Sequence, residues 1–174
     1  MITLEFSRPI AIDRIGLKEK TYEIEADAAE CAALAKRLGV PAVKSFAATI
    51  RLRLTGGGKI IRLSGHIKAA LEQICVVTLE PMESSVEEDF SRLYSVEAGD
   101  EMAEVVIEID EDVPDPVEDG QIDMGEAAAE HLALAMDPFP RSPGAAFTPP
   151  PEEPPEPEEK PSPFGALAAL GKKE

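Results

Sequence analysis

The stretch AATIRLRLTGGGKIIRLSGHIKAAL, residues 47–71, decides how the first half of the chain folds. Ile50, Leu52 and Leu54 alternate with Thr49, Arg51 and Arg53, the period of two that sends successive side chains to opposite faces of a strand. Gly56, Gly57 and Gly58 free the backbone for a turn. On the return, Ile61, Leu63 and Ile67 share one face, and Arg62, Ser64, His66 and Lys68 share the other. The spacing predicts a hairpin with one apolar and one basic face. The three glycines do not form a phosphate loop, because no Lys-Ser/Thr comes after them and no helix opens there.

Working outward, QICVVTLEPMESSVEEDF (73–90) continues the pattern. It predicts strand through Thr78, a turn at Glu80-Pro81, and a returning strand from Glu83 to Tyr94. Cys75 stands where a C-x-x-C pair would begin, but Thr78 occupies the second position. A tetrahedral zinc needs four ligands. The soft donors here, Cys31, His66, Cys75 and His131, are scattered along the chain. The expectation is no metal and no cofactor, with Cys75 a small buried hydrophobe.

Upstream, residues 2–6 (ITLEF) and 21–25 (TYEIE) read as short strands, with a connection running on from Arg8-Pro9 between them. Asp27 and Glu30 have capping-box spacing, Cys31, Leu34 and Leu38 recur at helical spacing, and Gly39 suits a helix end. A helix over 27–38 is predicted. Downstream, residues 104–110 (EVVIEID) read as a strand, and Asp110–Asp119 as an acidic connection. Asp123 and Glu126 form a second capping signature, and Met124, Ala128, Leu132, Ala135 and Met136 form an apolar helical stripe stopped by Pro138. The Pro- and Glu-rich stretch after it cannot bury enough apolar surface to fold. Phe164, Leu167 and Leu170 then recur every third residue, the pattern of a short docking motif.

The predicted fold class is α+β: an antiparallel, curved sheet with two packed helices, plus a disordered Pro/Glu-rich C-terminal tail. Residues 1–138 form the domain, 139–162 a tether and 163–174 the docking motif.

Charge divides the chain. The net charge is −17, yet residues 1–94 hold 13 basic and 13 acidic side chains, so the excess lies beyond Tyr94. No acidic residue occurs between Glu30 and Glu72, a window holding Lys36, Arg37, Lys44, Arg51, Arg53, Lys59, Arg62 and Lys68. Such a block is an electrostatic footprint for phosphate. Trp is absent, which disfavours a stacking platform for single strands. No apolar run reaches the length of a membrane span, and MITLEFSRPIAID lacks the build of a signal peptide. Two cysteines are too few for a disulfide framework, so a cytoplasmic location is expected. Neither histidine has a nucleophile partner in a recognisable motif, so no catalytic residue and no small-molecule substrate is expected.

Four pieces occur in a telling order: SGHIKAALEQICVVTLEPMESSVEEDF, EIDEDVPDPVEDGQIDMGEAAAEHLALAMDPFPRSP, the Pro-rich spacer and the terminal PFGALAAL. This order resembles the YceD family, the large-subunit ribosomal RNA accumulation proteins, over residues 60–170. The chain departs from the family pattern at Thr78, which replaces the second cysteine of C-x-x-C. The resemblance implies a bacterial, non-enzymatic factor supporting accumulation of large-subunit (23S) ribosomal RNA by contact with RNA or a large-subunit ribosomal protein. Arg51, Arg53, Arg62 and Lys68 are the candidate RNA contacts, as phosphate clamps. Phe164, Leu167 and Leu170 are the candidate partner-docking residues. The alternative is an acidic adaptor or chaperone for a basic partner, with no RNA contact. For the basic face itself, a third reading beside a solvated face and RNA contact is internal, with the acidic 97–119 segment folding over it.

Overall fold

The computed structural model describes residues 4–96, 113–117 and 119–146. Its elements in chain order are β1 (Pro9–Ala11), β2 (Lys20–Glu25), α1 (Ala28–Leu38), β3 (Ala42–Thr55), β4 (Ile60–Ile74), β5 (Pro81–Ser95), β6 (Asp115–Pro116), β7 (Gln121–Asp123) and α2 (Met124–Ala135). Strands β2-β3-β4-β5-β6 form one sheet in that order, antiparallel except where β6 runs parallel to β5. A second sheet pairs β1 with β7. The class is α+β, with two α-helices among the described residues.

Alternation in β3 and β4 builds the core as predicted. Ile50, Leu52, Ile61, Leu63 and Ile67 are all buried on one face, while Arg51, Arg53, Arg62 and Lys68 are exposed on the other. Both helices add to the same cluster, α1 through Cys31 and Leu34 and α2 through Met124, Ala128 and Leu132. The α1 capping box forms in full: the Asp27 carboxylate accepts the Ala29 and Glu30 amides at 2.8 Å, and Glu30 accepts the Asp27 amide at 2.9 Å. Gly39 ends the helix at φ 68°, a left-handed conformation that glycine adopts without a Cβ clash.

Three local expectations are corrected. Residues 4–6 are not strand; the strand is Pro9–Ala11, where a connection was expected. Phe6 is instead a fully buried anchor, set edge-on to Phe46 with ring centres 5.3 Å apart. The backbone around it serves helix α2: the Arg8 amide donates to Asp123 at 2.8 Å, and a Cβ at Gly125 would run into the Phe6 carbonyl. Second, β4 stops at Ile74 rather than Thr78. The Cys75 amide donates to the Glu80 carbonyl at 2.9 Å, which closes a turn over 76–79 with Leu79 at φ 60°. Third, the capping signature of α2 is only half made. Asp123 accepts the Gly125 and Glu126 amides, but Glu126 turns to Arg37 on α1, at 2.5 and 2.7 Å. The predicted strand 104–110 lies outside the described residues.

Beyond Pro138 the chain lies against the β4–β5 turn. The Val76 amide donates to the Pro140 carbonyl at 2.9 Å, the Gln73 side-chain amide donates to the Asp137 carbonyl at 3.1 Å, and the Ser142 hydroxyl points to the Met82 sulfur. Residues 139–142, assigned to the tether from sequence, thus form a strap at that end of the sheet.

Candidate nucleic-acid interface

Register fixes what stands beside each outward cation. Across the sheet, the outer rows read Glu25–Ala47–Lys68–Glu87, then Glu23–Thr49–His66–Asp89, then Thr21–Arg51–Ser64–Ser91, then Arg53–Arg62–Leu93. The face is therefore graded along the strands. Toward the β4–β5 turn it is zwitterionic: Lys68 meets Glu87 at 2.9 Å, and His66 lies between Asp89 at 2.9 Å and Glu87 at 3.1 Å. Lys44, further along, contacts Glu83 at 2.5 Å. Lys68 and Lys44 lower the Glu87 and Glu83 carboxyl pKa values through hydrogen bonds first and charge second.

Toward the glycine turn the face is basic. Arg53 and Arg62 stand directly opposite each other, and Arg51 is opposite Ser64. All three arginines are exposed, and none forms an ion pair with a described residue. Like charges in direct cross-strand register are unfavourable. The sheet keeps this repulsion, and the Thr21, Ser64 and Ser91 side chains in the next row can donate hydrogen bonds to an anion. The arrangement can hold phosphate oxygens by charge-assisted bonds.

The four sequence candidates therefore separate. Arg51, Arg53 and Arg62 form one patch. Lys68 lies on the same face but is paired with Glu87, a carboxylate from outside the Glu30–Glu72 window, so it is not a bare cation like the three arginines. That pairing needs the β4–β5 register, in which residue 68 faces residue 87. Phe164, Leu167 and Leu170 lie outside the described residues, as does most of the acidic 97–119 segment. Its described part does not cross the arginines. Asp115 pairs along the β5 edge, 3.5 Å from Arg92, and Arg92 in turn reaches Glu130 of α2 at 2.6 Å.

Cys75 is fully buried, as expected, but it is not merely apolar filling. Its sulfur accepts the Ser142 amide at 3.3 Å and the Thr78 amide at 3.5 Å. The Ser142 amide first, then the Thr78 hydroxyl and amide, hold the thiol down to about 6. Among the described residues no group of three or more His, Cys, Asp or Glu side chains is placed to hold a metal ion, and no helix is long and apolar enough to cross a membrane.

The family described as large ribosomal RNA subunit accumulation protein YceD matches residues 63–171. No curated protein and no solved structure gives a match.

Proposed function

The chain belongs to the YceD family of large ribosomal RNA subunit accumulation proteins, and from that premise we propose that it is a non-enzymatic assembly factor whose sheet face grips ribosomal RNA. The observation that carries this reading is the patch of Arg51, Arg53 and Arg62, exposed and without a carboxylate partner among the described residues. An arginine pair left in repulsive register is relieved when a polyanion arrives. Binding of this kind positions the backbone of the nucleic acid and reads no base sequence. It would operate in the cytoplasm, where ribosomal subunits are built.

The test is the salt dependence of binding to large-subunit ribosomal RNA. Removing one phosphate contact lowers the slope of log affinity against log salt by about 0.7 to 0.9. The R51Q/R53Q/R62Q variant should therefore lose about 2 to 3 units of slope together with most of its affinity at low salt. K68Q should change the slope by less, because Lys68 is already neutralised by Glu87. Equal slopes for the triple variant and the parent would overturn the reading.

A further inference from the structure

Strand β5 carries a second surface, independent of the arginine patch. In an antiparallel ladder the hydrogen-bonded pairs alternate. The Cys75 amide donates to Glu80 and the Val96 amide donates to Lys59, both at 2.9 Å, so the even-numbered residues of β5 turn their N–H and C=O toward β4. The backbone groups of Glu83, Ser85, Glu87, Asp89, Ser91 and Leu93 then point away from it. Among the described residues this edge is occupied only at Tyr94 and Ser95, where β6 pairs and the Val117 amide takes the Ser95 carbonyl at 3.2 Å. Among the described residues no second strand lies beside the rest of this ladder.

The residues with outward backbone groups also carry the outer-face carboxylates. The side chains of Glu83, Glu87 and Asp89 are 83%, 60% and 80% exposed, so each can meet a second cation besides its neighbour on β3 or β4. A strand added here would place alternate side chains directly opposite them. Two occupants are disfavoured by like charge. A second copy pairing β5 with β5 would set carboxylate rows together. This chain's own alternating stretch at 104–110 carries Glu104, Glu108 and Asp110. Acidic edges are also a device against aggregation, and that role by itself predicts no ligand.

We propose that the Glu83–Leu93 edge of β5 takes an extended, lysine- or arginine-rich segment of a protein partner as an added strand. Alternate cations of the partner meet Glu83, Glu87 and Asp89. The side chains between them lie on the opposite face beside Ser84, Val86 and Phe90. Main-chain bonds supply affinity and the charge alternation supplies selectivity.

The experiment follows amide exchange in the full chain on adding a short synthetic peptide that alternates lysine and threonine. Protection should appear at the Glu83, Ser85, Glu87, Asp89 and Ser91 amides. A peptide alternating glutamate and threonine should give none. Ser85→Pro removes one outward N–H and leaves the β4 ladder untouched, as proline on an edge strand can. It should abolish the protection while thermal unfolding stays near that of the parent. E87Q/D89N should weaken peptide binding by about tenfold. If the peptide binds without protecting these amides, or binds the Ser85→Pro variant equally well, the contact is charge attraction alone and the proposal fails. It also fails if an RNA oligonucleotide protects these amides and the peptide does not.

Discussion

Gly65 and Phe90 face each other across β4 and β5, and the Phe90 ring fills the space that any side chain at position 65 would need. The ring in turn stacks on His131 of α2, with centres 4.1 Å apart and planes inclined by 24°. One glycine thus sets the height at which the second helix rests on the sheet. Gly65→Ala should push the ring toward His131 and cost about 1 to 3 kcal/mol, the range for overpacking a core. Denaturant unfolding measures the loss. Combining Gly65→Ala with Phe90→Leu should cost less than the two single losses added, because the smaller side chain removes the clash. Strict additivity would refute this account.

The same stack makes one pH window readable. Burial first, and the nearby Arg92 charge second, lower the His131 pKa below its ordinary 6.5, while Glu130 and Glu88 pull the other way. A base with a depressed native pKa contributes fully while it is neutral in both states. Stability is therefore complete above about 6.5 and falls as pH drops below it. The His131 proton resonances should titrate with a midpoint under 6.5. His131→Phe keeps an aromatic ring on Phe90 and should remove this part of the acid sensitivity.

A second window belongs to Cys75. Its thiol sits near 6 in the fold against an ordinary value of 9.0, held by the Ser142 amide and Thr78. An acid with a depressed native pKa contributes most above its unfolded value, and that contribution is lost as pH falls through the native one. The parent should gain stability between pH 6 and 9. Cys75→Ala should flatten that rise without changing the window below 6. Denaturant midpoints across the pH series decide it, and parallel curves for the two proteins would count against the thiolate.

The two aspartate caps should not be equal. Asp27 serves only the first turn of α1, so Asp27→Ala should cost about 1 kcal/mol. Asp123 caps α2, and also accepts the Arg8 amide at 2.8 Å and the Ser7 hydroxyl. Asp123→Ala should cost about 2 to 3 kcal/mol, since it leaves part-buried donors unmatched as well as an uncapped helix. Equal losses in paired thermal melts would mean that the Arg8 and Ser7 contacts add nothing.

What was legible in the sequence was local. The β3–β4 hairpin, the α1 box and Gly39 emerge from periodicity and capping within a few residues. What escaped depends on distant pairing. Pro9–Ala11 is a strand only because Gln121–Asp123 lies beside it, and its three residues carry no alternation long enough to detect. Glu126 left its expected capping role because Arg37, from another helix, offers a bidentate partner. For the candidate site, the outward cations could be identified by alternation, but their partners could not. Whether Lys68 or Arg62 is neutralised depends on the β4–β5 register, which turns on where β4 ends. Reading strand through Thr78 hid the loop that sets Glu87 opposite Lys68.

The strap at the β4–β5 turn has a consequence for scale. The chain passes Cys75 and Met82 at Ser142, while Arg53 and Arg62 stand beside the glycine turn at the far end of the same strands. From residue 62 to residue 75 a strand rising about 3.3 Å per residue covers roughly 40 Å. Anything held by the chain beyond the strap therefore starts a strand's length from a nucleic acid held by the arginines. On the proposed reading the sheet is a spacer bar between an RNA held by the arginines and the chain that leaves the strap, and its length is set by the number of residues in β4.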